Sequence, residues 1–387
     1  MPDFFDVGRH FTPEERAIRD RVRAFVDARV LPRIADDWER GVFRAGLAVE
    51  IAELGVLGCN LRGYGCAGLS EVGYGLAMQE LERADSGVRS FASVQGSLVM
   101  YPIHAFGSER QRETYLPEMA KGRVIGCFGL TEPDFGSNPS GMRSVAIDDG
   151  DAYVLRGTKR WITNGSIAHT ALVWAKLGGA HGEVRGFLVP TDSPRFEARP
   201  IGRKLSLRAS VTSELLLDDV RVPKDAILPG VTGMRGPLAC LSAARLGIAW
   251  GVVGAASACF ECAVDYAKAR MQFAGKAIAS HQLVQAKLAE MLSQITTMQL
   301  LALEASRLKE EQRLRPQQVS LVKRHNVRAA LDIARSCRDL LGANGITLDY
   351  PVMRHMCNLE TVSTYEGTHD IHTLVLGQEI TGTSAFD

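Results

Sequence analysis

Near its C-terminus the chain reads Thr364-Tyr365-Glu366-Gly367-Thr368-His369-Asp370-Ile371-His372, a carboxylate between an aromatic residue and a glycine at the entrance to a helix. Crowded by apolar and aromatic groups, Glu366 loses hydration, which raises its pKa and makes it a better proton acceptor. Gly367 reaches backbone angles that other residues avoid and can turn neighbouring N–H groups toward a ligand. The same residues also read as an ordinary helix start, with Glu366 and Asp370 favoured by the helix dipole. A second group lies at 82–93. Asp85 or Ser86 can cap a helix, which sets Arg89 and Ser93 one turn apart on one face. Guanidinium plus hydroxyl is a receptor for a carboxylate, and Glu82 can orient the arginine or help position a departing carboxylate. Alone, Glu82 and Arg89 also read as a simple salt bridge.

These residues need elements to hold them. Residues 12 to about 123 read as helical: Thr12-Pro13-Glu14-Glu15 is a capping-box start, and Ile18, Val22, Phe25, Val26 and Val30 recur at helical spacing until Pro32 breaks the pattern. Further helices are expected near 45–54, 70–84 and 87–100. After Gly122 the character changes. Val145–Ile147 and Tyr153–Leu155 flank the turn Asp148-Asp149-Gly150-Asp151, and short β runs follow at Trp161–Thr163, Ala171–Lys176, Gly186–Val189 and Glu214–Val220. Strands without intervening helices suggest a compact antiparallel barrel or sandwich. From Pro237 long helices return, near 238–270, 281–312, 317–341 and 370–380; in the third, Val319, Val322, Asn326, Ala329, Ile333, Cys337 and Leu340 keep a 3-4 rhythm up to Gly342.

Composition excludes several roles. Lys plus Arg number 45 against 44 Asp plus Glu, so neither nucleic acid nor a charged membrane surface is an expected partner. No apolar run is read as approaching the roughly 20 residues of a membrane span, and the start Met1-Pro2-Asp3-Phe4-Phe5-Asp6 resembles neither a secretory signal nor a transit peptide. The expected location is the cytoplasm of a bacterium, or the mitochondrial matrix for a mature eukaryotic form. The eight cysteines are scattered, and Cys259–Cys262 is a lone CxxC without the second pair a zinc site needs. His369 and His372 likewise lack a third ligand, so no metal is expected. Gly63-Tyr64-Gly65-Cys66-Ala67-Gly68 matches a dinucleotide fingerprint in spacing alone; its helical surroundings lack a βαβ unit, so it reads as a connection.

The stretch around Glu366 resembles the active-site segment of the acyl-CoA dehydrogenase family, residues 364–373 being most similar to its glutaryl-CoA dehydrogenase type, and the likeness runs nearly end to end. The resemblance implies a mostly α fold with a central β domain: an N-terminal helical domain (1–123), a middle antiparallel β-barrel (124–236) and a C-terminal four-helix bundle (237–387). It implies FAD as cofactor. Phe128, Leu130, Thr131, Gly136 and Ser137 resemble the first flavin loop, and Trp161, Ile162 and Thr163 the second. An isoalloxazine needs a flat apolar wall, which Trp161 can supply, and donors along its polar edge, which Thr131, Thr163 and backbone amides can supply. Without the resemblance these are a Gly/Pro-rich turn and a core tryptophan.

Arg270, Phe273 and Gln282 resemble residues that hold the cofactor's pyrophosphate and adenine from a neighbouring subunit; Asp339, Leu340, Gly342 and Ala343 resemble the loop opposite, and Thr368 and Asp370 are further cofactor contacts. The span from Arg270 to Gln282 is one residue longer than the pattern, and Ala343 stands where a second glycine is usual. For substrate the resemblance implies Ser137, Leu238 and Arg245 along the CoA channel, and Glu82, Arg89, Ser90, Ser93, Tyr365 and Gly367 around the acyl chain. With Glu366 as base, the implied reaction is oxidation of glutaryl-CoA at its α,β carbons with decarboxylation to crotonyl-CoA, electrons leaving to an electron-transfer flavoprotein, in a homotetramer. A non-decarboxylating dehydrogenase of a dicarboxylic acyl-CoA, or a non-catalytic scaffold on the same fold, are the alternatives.

Overall fold

The computed structural model describes residues 3–386. The outermost residues of the expected first and third domains (1–2 and 387), and Met1 and Pro2 of the leader reading, lie outside the described residues.

Helices come first: α1 (Pro13–Phe25), α2 (Leu31–Arg40), α3 (Leu47–Glu53), α4 (Glu71–Ala84), α5 (Ser86–Ser93), α6 (Tyr101–Phe106) and α7 (Glu109–Ala120). The Thr12 hydroxyl accepts from the Glu15 N–H at 3.2 Å and Glu15 Oε2 accepts from the Thr12 N–H at 2.9 Å, the reciprocal cap expected from the sequence. Pro32 does not end the first helix. A π-helical turn, Val26–Val30, carries the chain into α2, where Pro32 sits in the first turn and needs no N–H donor. A second π segment, Val94–Met100, joins α5 to α6.

Seven strands follow: β1 (Gly126–Gly129), β2 (Val145–Asp148), β3 (Ala152–Thr163), β4 (Thr170–Leu177), β5 (Glu183–Pro190), β6 (Phe196–Pro200) and β7 (Thr212–Pro223). They form one curled sheet in the order β1-β4-β2-β3-β7-β6, with β5 on β4. Its pairings are mostly antiparallel, but β1 and β2 each run parallel to β4, so the sheet is mixed where the sequence suggested antiparallel pairing throughout. β1 and β6 are additional to the expected strands. β1, Gly-Cys-Phe-Gly, is buried on both faces and so lacks the alternation that marks a strand. The runs read separately at Tyr153–Leu155 and Trp161–Thr163 belong to one strand, broken in register against β7 between Leu155 and Gly157 and between Lys159 and Ile162.

The chain closes with α8 (Arg235–Ala269), the hairpin β8 (Met271–Gln272) and β9 (Lys276–Ala277), α9 (Gln282–Glu310), α10 (Pro316–Leu340), α11 (Val352–Thr364) and α12 (His369–Thr381). α11 escaped the sequence reading because Arg354, His355 and Asn358, all buried, interrupt its apolar rhythm. α8 also corrects an expectation, since it is long and apolar enough to cross a membrane; yet 67% of that apolar window is buried in the protein, as in a core helix. Its glycines let α4 come close. A Cβ on Gly247 would lie 2.2 Å from the Tyr74 hydroxyl, and one on Gly251 would lie 2.1 Å from Glu82 Oε2.

Candidate active site

Glu366 lies between α11 and α12, held in a left-handed conformation (φ 52°), and Gly367 follows at φ 96°. A non-glycine residue there stores strain of about 1–3 kcal/mol and persists only where its surroundings insist on it. Here they do: Arg245 Nε, on α8, donates to the Glu366 carbonyl at 2.7 Å. Lys323 Nζ, on α10, donates to the carbonyls of Tyr365 at 3.0 Å and Gly367 at 2.7 Å. The carboxylate is treated differently. Its Oε2 is shut off from solvent and has no hydrogen-bond partner. Burial raises the Glu366 pKa, and the charges of Arg89, Arg245 and Lys323 only partly oppose it. Oε2 is therefore desolvated and unsatisfied within a half-buried residue, as suits a base; the neighbours that tune it are cations more than aromatic rings.

The second group meets the first. Asp85 Oδ1 accepts from the Gly87 N–H at 2.7 Å and so caps α5. That start places Arg89, 1% exposed, against Glu82, with Nε donating to Glu82 Oε2 at 2.6 Å. Ser86 Oγ donates to the other Glu82 oxygen at 2.7 Å. Arg89 Nη2 donates to the Tyr365 hydroxyl, which also lies 3.4 Å from Ser90 Oγ. Burial works against the Arg89 charge, but Glu82 and Tyr365 outweigh it and raise the arginine pKa. Burial drives the Tyr365 phenol up to about 12 despite Arg89. Ser93 is fully buried one turn along α5. A permanent cation thus lies one residue from the carboxylate.

The β-domain stretches also converge. The Arg160 N–H donates to the Thr131 carbonyl at 2.8 Å, bringing Thr131 beside Trp161. The register break before Ile162 turns Trp161 to φ 63°, leaving its indole 57% exposed at the edge of the sheet. Ser137 and Gly136 are exposed on the same loop, and Thr163 is half-buried. Phe128, Leu130 and Ile162 are core side chains, so their backbones alone are left for a ligand. Beneath the loop, Lys159 Nζ donates to Glu132 Oε1 at 2.8 Å and to the Leu130 carbonyl at 3.2 Å. An outward indole, an open polar loop and an unsatisfied carboxylate fit a flat aromatic cofactor with a substrate beside it.

The remaining expected contacts lie elsewhere. Leu238 is 44% exposed in the first turns of α8. Arg270 follows the other end of α8, and roughly 38 Å of helix separates it from Arg245. At that far end Tyr266, Arg270, Gln272, Ile278 and residues 340–344, with Leu340, Gly342 and Ala343 among them, line a cleft of about 280 Å³. Phe273, at φ 44° in the β8–β9 turn, is 80% exposed, and Gln282 is exposed at the start of α9. Asp339 is engaged with Lys287 at 2.5 Å. The Thr368 hydroxyl accepts from the Ile371 N–H at 3.1 Å and caps α12, with Asp370 exposed in that first turn.

Reasoning from sequence missed Lys323, Lys159 with Glu132, and a buried network in which Arg354 Nη1 and Asn358 Nδ2 reach Asp85 Oδ2 at 2.6 and 2.8 Å. Lys323 had a signal. It falls four residues after Val319 and three before Asn326, on the inward face of α10, where a lysine needs a reason.

The sequence matches the acyl-CoA dehydrogenase N-terminal domain over residues 12–123, the middle domain over 127–220 and the C-terminal domain over 232–381. It is 33% identical to the probable acyl-CoA dehydrogenase YngJ of Bacillus subtilis, over 95% of this chain and 98% of that protein. Among solved structures it is similar to glutaryl-CoA dehydrogenase from Mycobacterium smegmatis (TM-score 0.96, 55% identity, 98% of each chain covered). It is similar also to a glutaryl-CoA dehydrogenase from Mycobacterium smegmatis in complex with FADH2 (TM-score 0.97, 51% identity, 99% and 98% covered). With all three domains matched and, between its last two helices, a carboxylate with one buried, unsatisfied oxygen, the chain belongs to the acyl-CoA dehydrogenase family of oxidoreductases.

Proposed function

We propose that the protein is an FAD-dependent dehydrogenase that oxidises glutaryl-CoA at its α,β carbons and releases carbon dioxide to leave crotonyl-CoA. The observation that carries this reading is the buried Arg89–Glu82 pair beside Tyr365, the residue before Glu366. A fatty-acyl chain needs an apolar pocket floor, whereas a fixed guanidinium within reach of the base suits a substrate ending in a carboxylate. The two Mycobacterium smegmatis structures named above add to it at 55% and 51% identity.

FAD, held by Trp161, Thr131, Thr163 and loop backbone groups, supplies when bound the acceptor for the β-hydrogen leaving with its electron pair. The protein's own residues do the rest. Ionised Glu366 takes the α-proton, and its backbone N–H favours negative charge on the thioester oxygen. Arg89, oriented by Glu82, holds the distal carboxylate. As the terminal C–C bond breaks, its electron pair passes into the dienolate and carbon dioxide leaves. Protonated Glu366 then returns its proton to the terminal carbon. Arg270, Phe273 and Gln282 serve the cofactor of another copy, consistent with the length of α8, in a homotetramer, and electrons pass to an electron-transfer flavoprotein.

The test is a panel of acyl-CoA thioesters, following flavin bleaching and products. Glutaryl-CoA is expected to yield crotonyl-CoA and carbon dioxide. Bleaching that leaves an uncleaved dicarboxylic enoyl-CoA defeats the decarboxylating step alone, and a colourless, inert protein supports the scaffold reading.

A further inference from the structure

A buried lysine and a half-buried arginine sit behind the turn that carries Glu366. Lys323, 1% exposed on α10, bridges the carbonyls of Tyr365 and Gly367, and Arg245 takes the carbonyl between them. Three successive carbonyls therefore point at positive charge. The turn has no slack: a Cβ on Gly367 would stand 2.8 Å from His372 Nε2 and 3.3 Å from Arg245 Nη2. A lysine that only filled space would not need both flanking carbonyls; this one grips the base from either side.

We infer that Lys323 is a positioning residue for Glu366, its amine fixing the left-handed turn that keeps the carboxylate away from partners within the fold, and its charge helping to set the proton affinity of that carboxylate. The inference rests on reading Glu366 as the base. The charged and titratable groups facing Lys323 are Glu366 in the turn, Arg89 from α5, Arg245 from α8, and His369 and His372 from α12. Glu366 is the acidic member of that set. Burial pulls the Lys323 amine down to about 7, with Arg245 and Arg89 adding to the fall and Glu366 opposing it. A neutral amine still donates to both carbonyls but no longer favours ionised Glu366, so the two roles are separable.

The experiment compares Lys323→Met and Lys323→Gln in the flavin-loaded full chain, measuring kcat, KM and α-proton exchange across pH. Lys323→Met is expected to lower kcat about 100-fold, as for a base displaced by about an ångström, with KM little changed. Its acid limb should move to higher pH, because one fewer cation makes Glu366 harder to ionise. Lys323→Gln keeps an uncharged donor group on a shorter side chain and should recover part of kcat while showing the same movement of the limb; it carries the test where the Met variant does not fold. Flavin-loaded variants with wild-type kcat and an unmoved limb overturn the inference. Glu366→Gln separates the two failures: exchange that survives it rejects the base reading, whereas its loss beside unaffected Lys323 variants rejects only the role of Lys323.

Discussion

Glu132 and Glu366 are both shielded carboxylates near buried lysines, and the protein treats them in opposite ways. Glu132 accepts from Lys159 Nζ at 2.8 Å and from the backbone N–H groups of Arg143 at 2.7 Å and Ser144 at 2.9 Å. Burial pushes its pKa up, but these partners outweigh burial and hold it below the usual glutamate range. Glu366 is drawn by three cations, yet its Oε2 has no hydrogen bond and its pKa is raised. Leaving a buried acceptor unsatisfied costs about 1–3 kcal/mol. The first carboxylate is a fastener beneath the loop that carries Thr131; the second keeps an oxygen without a hydrogen bond.

Variants can break this contrast. The largest effect is expected from Glu366→Gln, which should lower turnover about 10³-fold while flavin absorbance persists. The same variant probes linkage. Because the folded pKa of Glu366 is raised, ionising it destabilises the fold, so its contribution is full at low pH and is lost as pH rises through the raised value. Melting curves should then show Glu366→Gln gaining stability over the wild type as pH increases, and a gap that shrinks toward neutral pH would contradict the linkage. Lys159→Met should lose about 3–5 kcal/mol of stability by stranding Glu132, and adding Glu132→Leu should recover much of it; denaturant titration of the single and double variants decides this.

Arg89→Ala should cost about 2–4 kcal/mol in kcat/KM for a dicarboxylic substrate and far less for butyryl-CoA. Equal losses on both would remove Arg89 from specificity. Smallest is Thr368→Ala, which removes the cap of α12 and should lower stability by about 1 kcal/mol, read as a lower Tm.

Legibility in the sequence followed how local each feature is. The Thr12 cap, the Asp85 cap, the helical face of α10 and the register of Arg89 with Ser93 depend on residues within a turn or two, so spacing reveals them. β1 and α11 did not show, because one is buried on both faces and the other hides Arg354, His355 and Asn358 among its inward positions. Pro32 misled because a π turn upstream absorbed it. The outward pose of Trp161 follows the register break against β7 between Lys159 and Ile162, which no run within β3 announces.

Residue types alone determined that a glutamate, an arginine with its own acidic partner and a tryptophan-bearing β stretch would be available, because chemistry resides in side chains. Tertiary structure decided what those side chains are like. It gathered Arg89, Arg245 and Lys323 from α5, α8 and α10 around one carboxylate, let Gly251 bring α8 within reach of Glu82, and held Glu366 in a left-handed turn with one oxygen unsatisfied. Proton affinity depends on solvation and on charges brought near through space, and neither is a property of neighbours along the chain.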